Sequence, residues 1–355
     1  VKESIEEIDS ITVYRTAQNG FGDIPFIREI RLMNTLQKKI EEVIKLEKPD
    51  IIHAHSPSLN GISALRAGRK FGIPVVYEVR ALWEDAAVDH GTFNEQSFKY
   101  KVSRFVETNL LKKVDALFTI CDGLKREIIS RGISDKKITV IPNCVDVKFF
   151  SPCEYDEEIA ERFNLRGKTV FGFIGSFYNY EGIDLLIDSY LKMLQKKNSA
   201  RLFLVGDGPG KNALLSKVEK AGLTGHVIFT GKVPHEDIKK YYSVIDVLVY
   251  PRKKMRLTEI VTPLKPLEAM AMGKVVVGSN VGGIRELISH DKDGFLFEAG
   301  DTDNLAKLLT GLASDGKDFS KISKSAIETV QCKFRWELSV KKYLPVYEKL
   351  TRILK

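Results

Sequence analysis

Short apolar runs rich in Val, Ile, Leu and Phe recur along the whole chain, each separated from the next by a longer stretch with helical spacing. The runs are continuous rather than alternating, as in 75–79 (VVYEV) and 247–250 (VLVY). A strand apolar on both faces must be covered on both faces, which is the condition of a parallel sheet. Regular alternation with helices selects right-handed βαβ winding. Strands are expected at 11–14, 51–54, 75–79, 116–120 and 138–141, then at 170–174, 201–205, 227–230, 247–250, 274–277 and 295–297. Helices are expected at 25–47, 58–71, 95–113, 122–131, 183–196, 211–221, 235–242, 263–272, 283–289, 302–313 and 335–354. The 355 residues suit two domains at about 100–200 residues each. A join falls at 142–152 (PNCVDVKFFSP), which has two prolines and no period. The reading is an α/β chain of two doubly wound domains facing a cleft, spanning 1–145 and 146–334, with a closing helix over 335–355.

Charge and cysteine content narrow the function classes. The net charge is +8, and residues 1–150 hold 23 basic against 21 acidic side chains, so six of the eight charges lie beyond them. So diffuse an excess suits anionic ligands or a membrane surface. It is no nucleic-acid footprint, and no helix-turn-helix, RRM or zinc-finger pattern is present. Four cysteines, Cys121, Cys144, Cys153 and Cys332, match no zinc or redox spacing, and their scarcity points to a reducing cytosol. No run approaches the ~18–20 apolar residues of a membrane span. Residues 1–10 (VKESIEEIDS) lack the apolar core of a signal peptide.

In open parallel sheets ligands bind beyond the carboxyl ends of the strands, so the residues just after each run carry the chemistry. Strand 51–54 exits into His55, with Ser56 and Pro57 suited to start a helix. His55 reads equally as a satisfied histidine or a ligand contact. With no third ligand nearby in sequence, a metal pair is not expected. Strand 75–79 exits into Arg80, followed by Trp83, Glu84 and Asp85. Arg80 either pairs with Glu84 or serves an anion. Gly175 and Ser176 follow strand 170–174, a glycine turn compatible with phosphate. Gly206-Asp207-Gly208 follows strand 201–205 and is not a dinucleotide fingerprint. Arg252, Lys253, Lys254 and Arg256 crowd the exit of strand 247–250, where a diphosphate would need them. The segment Thr262–Gly273 opens a helix at Leu264 and Lys265, whose free N–H groups suit phosphate oxygens. Glu268 lies one turn further in, where a carboxylate can accept two ribose hydroxyls.

The order HAHSP, IPNCVD, GFIGS, LVGDGP, FTGKVPHEDI, DVLVYPR, PLKPLEAMAMGKVVVGSNVGGIRELI, DGFLF, closing with FRWELSVKKYLPVY, resembles glycosyltransferase family 4 over residues 11–350. YEVRALWED and VTPLKPLEAMA resemble its exopolysaccharide, exosortase-associated and N-acetylfucosaminyltransferase-like members. The resemblance implies the GT-B fold, with a C-terminal helix crossing back to the first domain. Three positions depart from the family pattern. Ile260 stands where a donor-sugar glutamate is usual, with Glu259 one residue off. Ser176 and Glu181 replace the usual phosphate-binding arginine and lysine, and Arg80 replaces a histidine. Relatives also open with a strand and a glycine-rich loop, so the first domain is expected to lack roughly 60–80 residues of that opening.

The activity implied is retaining transfer of a sugar from a nucleoside diphosphate sugar, a UDP-sugar favoured, to a hydroxyl of a glycan or polyprenyl-linked acceptor in polysaccharide biosynthesis. Catalytic roles fall to Arg80, Arg252 and Lys265. Nucleotide-sugar contacts fall to Gly175, Ser176, Gly206, Val233, Leu264 and Glu268, and the acceptor side to His55 and Glu84. No cofactor and no metal are expected, and no nucleic-acid partner. The helix at 95–113, with Lys99, Lys101, Arg104, Lys112 and Lys113 among Phe98 and Phe105, suits peripheral contact at the inner face of the cytoplasmic membrane. Competing readings are a disaccharide phosphorylase of the same fold, a nucleotide-binding but inactive shortened form, and a non-catalytic sugar receptor. The receptor has no need of a phosphate-suited helix start.

Overall fold

The computed structural model describes residues 5–16, 27–89, 94–195, 200–314 and 318–352. The expected helix ends at 25, 196 and 354, and the first residues from Val1, lie outside them. The chain divides into two compact units. One comprises the residues to Ile141 together with those from Lys341, and the other is Pro142–Val340.

The second unit holds six parallel strands. They are β7 (Thr169–Ile174), β8 (Ala200–Val205), β9 (Val227–Gly231), β10 (Val247–Tyr250), β11 (Val275–Ser279) and β12 (Phe295–Phe297), all following the six strands of the first unit. Their order across the sheet is β12-β11-β10-β7-β8-β9. The first strand of the series thus sits in the middle, and the winding reverses between β7 and β10. Diverging connections open a crevice at such a reversal. The continuous apolar strands are buried on both faces as their composition requires, with Phe171, Phe203, Leu248 and Val276 each 0% exposed. Helices begin where side chains can cap them: Asp156 accepts from Ile159 N and Asp301 from Asn304 N, each cap contributing about 1 kcal/mol.

The first unit is simpler. A hairpin of β1 (Ile5–Ile8) and β2 (Ile11–Tyr14) precedes a four-stranded parallel sheet of β3 (Ile52–His55), β4 (Val75–Val79), β5 (Ala116–Thr119) and β6 (Ile138–Val140), paired in sequence order. The sequence pointed to β2 but not β1. The turn Asp9-Ser10, both residues at positive φ, is of the kind that closes two-residue hairpins. Right-handed crossovers in a sheet that grows in one direction put every connecting helix on one face. There Gly61 of one covering helix lies against Tyr77 of the sheet and Leu110 of a second helix. The opposite face is covered by the end of the helix Trp336–Arg352, whose Tyr343, Val346, Tyr347 and Leu350 pack on Val76, Ala116, Phe118 and Ile141. The helices Trp83–Asp89, Glu157–Arg162, Arg256–Ile260 and Ser320–Lys333 were not foreseen. The last of these is polar overall and has no side-chain cap, and only Ala326 and Val330 are buried in it.

Candidate active site

At the β7/β10 reversal the second unit brings together Gly175, Lys265, Arg252 and Glu181. Gly175 follows β7 directly, and a Cβ on it would stand 2.8 Å from Lys265 Cε, so the lysine stem lies across the strand exit. Lys265 opens the short helix Lys265–Ala271, with exposed Leu264 before it. Among the described residues Lys265 has no ion-pair partner. Two buried tyrosines fix this helix from beneath. The Tyr250 hydroxyl donates to Lys265 O at 3.1 Å, and the Tyr242 hydroxyl donates to Glu268 Oε2 at 2.8 Å. Burial holds both hydroxyls well above their ordinary pKa, so they remain donors. Asn143 Nδ2 donates to Thr262 O at 3.0 Å and ties down the approach to the helix. Tyr242, Tyr250 and Asn143 were missed in the sequence, because nothing in their local spacing reports which helix they will support.

Arg252 is not the free cation that the sequence suggested. It is buried, and its Nε and Nη2 bond Glu181 Oε2 and Oε1 at 3.1 and 3.0 Å, a two-pronged carboxylate pair. Its Nη1 is buried without a hydrogen-bond partner. Lys253 is likewise engaged, with Asp184 at 2.9 Å and Asn179 at 2.8 Å. The two loops are pressed together backbone to backbone: Gly182 has φ 72°, and a Cβ there would meet Pro251 O at 2.0 Å. The carboxylate at position 181 therefore replaces a cation on one loop and neutralises a cation on the other. Among the described residues Lys265, whose stem lies against Gly175, is a cation at this exit without a carboxylate on it.

The remaining residues of the second unit fall as follows. Ser176 is exposed beside Gly175. Gly206, at φ 137°, lies so close to Gly175 O that a Cβ would come within 1.8 Å, so this glycine serves the approach of the β7 and β8 loops to each other. Val233 is half-buried after β9, packed on the core. Glu259 is engaged through one oxygen, while its Oε1 is buried without a hydrogen-bond partner. Its Oε2 accepts from Gly282 N at 3.0 Å and pairs with Arg285 at 3.4 Å.

In the first unit the strand exits gather a different set. His53 and His55 alternate on one face of β3, and Glu78 is the direct neighbour of His55 on β4. Glu78 is 2% exposed. Its Oε2 accepts from the Tyr343 hydroxyl at 2.7 Å and lies 3.3 Å from His53 Nε2. Its Oε1 lies 3.3 Å from Arg80 Nη1 and 3.7 Å from His55 Nδ1. Burial pushes this carboxyl up, but the adjacent His53 ring and the Tyr343 hydroxyl outweigh it and hold the group below the usual carboxylate range. Burial holds His55 below its ordinary value, with Glu78 opposing and His53 and Arg80 adding to the shift. Arg80 thus pairs with Glu78, not with Glu84 as one sequence reading had it. Glu84 does not face an acceptor. It is fully buried, 2.7 Å from Arg131 Nη1, and Arg131 also bonds Glu127 at 3.0 Å. A buried carboxylate needs such a partner, and the partner lies too far along the chain for local spacing to reveal it.

Comparison with known proteins gives these arrangements a context. Residues 9–149 match the family "Glycosyltransferase Family 4", and residues 155–329 match "Glycosyl transferases group 1". The chain is 26% identical over 324 residues to the sulfoquinovosyl transferase SQD2 of Arabidopsis thaliana, covering 90% of this chain and 60% of that protein's length. It is 24% identical over 317 residues to the N-acetyl-alpha-D-glucosaminyl L-malate synthase of Bacillus anthracis, covering 89% of this chain and 79% of that one. Among solved structures, Anabaena Alr3699/HepE in complex with UDP superposes with a TM-score of 0.75 at 20% identity, covering 91% of this chain and 83% of that one. That likeness establishes the fold, two Rossmann-like domains of the GT-B class.

Proposed function

This chain belongs to the glycosyltransferases that join a family 4 domain to a group 1 domain, and from that premise we propose that it transfers a sugar from a nucleoside diphosphate sugar to a hydroxyl with retention of configuration. The observation that carries the reading is the pairing, at the β7/β10 reversal, of an uncompensated Lys265 with a Glu268 whose Oε2 is held by Tyr242. Lys265, the N–H groups at Leu264–Lys265 and the unpartnered Nη1 of Arg252 receive the diphosphate. Glu268 accepts the ribose hydroxyls, and Val233 borders the base. Gly175 and Ser176 leave room beside the diphosphate. The donor is a UDP-sugar, in keeping with the UDP held by the Anabaena protein. In the transfer step the bond between the anomeric carbon and the diphosphate oxygen breaks, and the acceptor oxygen bonds to that carbon. The acceptor proton passes to the departing phosphate on the same face. Stabilising the charge on that phosphate is the task of Lys265. No protein nucleophile, cofactor or metal enters this step.

Arg80, 47% exposed at its side chain, meets the acceptor, a glycan or polyprenyl-linked hydroxyl in polysaccharide biosynthesis, with His55 at the same exit. Phe98 and Phe105 are 76% and 69% exposed on one face of the helix Phe98–Lys113, two turns apart, which suits contact with an anionic membrane surface on the cytoplasmic side. Sedimentation with anionic vesicles checks this: the chain pellets with them, and Phe98→Ser/Phe105→Ser does not. Equal pelleting of the two removes membrane contact from the account.

Turnover with a panel of UDP- and GDP-sugars tests the reaction itself. Product with the donor's anomeric configuration is expected, and Lys265→Ala lowers kcat/KM by at least 10-fold, about 1.4 kcal/mol of transition-state stabilisation. Inverted product, or phosphate-dependent release of a sugar phosphate without nucleotide, sinks the proposal. The second outcome is that of a disaccharide phosphorylase.

A further inference from the structure

The geometry points to a transition-metal site in the first unit, built from His53, His55 and Glu78, with Zn²⁺ as the fitting ion. One ligand atom from each of the three lies within 4.8 Å of the other two. In tetrahedral zinc coordination with bonds of about 2.0–2.1 Å, neighbouring donor atoms stand about 3.3–3.4 Å apart. His53 Nε2 is 3.3 Å from Glu78 Oε2, and His55 Nδ1 is 3.7 Å from Glu78 Oε1. The first spacing is that of two donors on one ion. The second runs to the other oxygen of Glu78, so an ion held by Oε2 is completed when the half-exposed His55 ring, stacked 4.6 Å from His53, swings out of that stack and turns its lone pair to the ion. Two histidines and one carboxylate are the donor set of an open zinc site, with a fourth position left for water or an anion.

Two further observations separate this cluster from an ordinary polar network. His53 Nε2 is buried and makes no hydrogen bond, although a carboxylate oxygen lies beside it. In the tautomer whose Nδ1–H faces Tyr347, this nitrogen offers its lone pair to an ion beside Glu78. The other ring nitrogen, Nδ1, is 2.6 Å from the Tyr347 hydroxyl, and Glu78 Oε2 is held by Tyr343. Outer partners of this kind orient metal-binding histidines and carboxylates. Here both come from successive turns of one helix, so the ion would fasten that helix to the exits of β3 and β4. Arg80 is the cation now beside Glu78. Its side chain is half-exposed while Glu78 is buried, so a doubly charged ion entering beside Glu78 displaces it to solvent.

The sequence alone pointed away from this site, because the third ligand lies on the next strand rather than nearby in the chain. The inference does not rest on the transfer reaction, and its readout is metal binding. Full-length protein, freed of metal with a chelator, is titrated with ZnCl₂ by calorimetry near neutral pH, and with Co²⁺ while visible absorption is followed. One equivalent of Zn²⁺ is expected to bind with Kd below about 10 µM, and Co²⁺ to give the intense bands of tetrahedral coordination. His55→Ala, a half-exposed position that leaves folding intact, weakens binding at least 10-fold. Tyr347→Phe weakens it by about 10-fold, as loss of an outer partner does. His290→Ala, at a separate surface histidine, leaves it unchanged. No binding below about 1 mM, or equal binding by His55→Ala, overturns the site and leaves a hydrogen-bonded network.

Discussion

The two units begin from the same sequence pattern and end with opposite habits toward charge. In the second unit the strand order reverses between β7 and β10, and the charged groups near the reversal stay at the loops. Arg252 and Asp293 are the charged side chains it buries among the described residues. In the first unit the four strands follow one another in order, and the charges go inside. Glu78, Glu84, Asp85, Glu107 and Arg131 are all buried there. The difference is one of topology. A reversal opens a crevice that keeps polar groups wet and available to a ligand. A sheet that grows one way has its faces sealed by helices, so a polar group on either face must find a partner inside. The first unit does so with Glu84–Arg131 on one side and Glu78 with Tyr343 on the other.

The sharpest way to break that contrast is to remove one side of the buried pair. Arg131→Met leaves Glu84 buried with no counter-charge, and a loss of about 3–5 kcal/mol in unfolding free energy is expected, read by urea denaturation. Glu84→Gln combined with Arg131→Met recovers most of it, since neither side then carries a charge. If Arg131→Met instead leaves stability intact and changes only acceptor KM, Glu84 belongs to the acceptor side after all.

A smaller effect comes from Glu107, which accepts from the Tyr77 hydroxyl at 2.8 Å. Burial pushes its carboxyl up from 4.5 to about 7, with nearby Glu84 adding to the shift and Tyr77, Ser58 and Arg131 opposing it. A carboxyl with a raised folded pKa binds its proton more tightly in the folded state. Its contribution is therefore favourable below about 4.5, declines as the pH climbs to about 7, and is level beyond. The full decline is worth up to about 3 kcal/mol. Glu107→Gln keeps the oxygen that Tyr77 needs and cannot ionise. Its stability gain over the parent should grow between about pH 5 and about pH 8. A gain that is the same at both ends shows that folding does not raise the Glu107 carboxyl.

Most strands were legible in the sequence because buried parallel strands carry an unbroken apolar text, as at Val247–Tyr250 and Val75–Val79. Their order was not. Nothing in the runs says that β7 lies between β10 and β8, and the location of the crevice depends on that. The glycine turn at Gly175, the helix start at Lys265 and the carboxylate of Glu268 were also readable, because each is a local feature of a strand exit. What local text could not supply was partners. Arg252 looked like a free cation until Glu181 came to meet it, Glu84 looked like a site residue until Arg131 did, and His55 looked solitary without Glu78. Each of these pairs is made by the fold, across strands or loops that are distant in the chain. The helix Ser320–Lys333 escaped for a different reason: its buried face is only two residues wide, too narrow a stripe for apolar periodicity to stand out.

The central claim is that the second unit holds the nucleotide through Lys265 and Glu268. Calorimetric titration with UDP and with uridine tests it most directly, in the parent chain and in Lys265→Ala and Glu268→Ala. The account predicts that Glu268→Ala weakens both ligands at least 10-fold, since both carry the ribose. It predicts that Lys265→Ala weakens UDP at least 10-fold, about 1.4 kcal/mol, and spares uridine, which has no phosphate for the lysine to hold. UDP affinity equal to the parent's in both variants would contradict it.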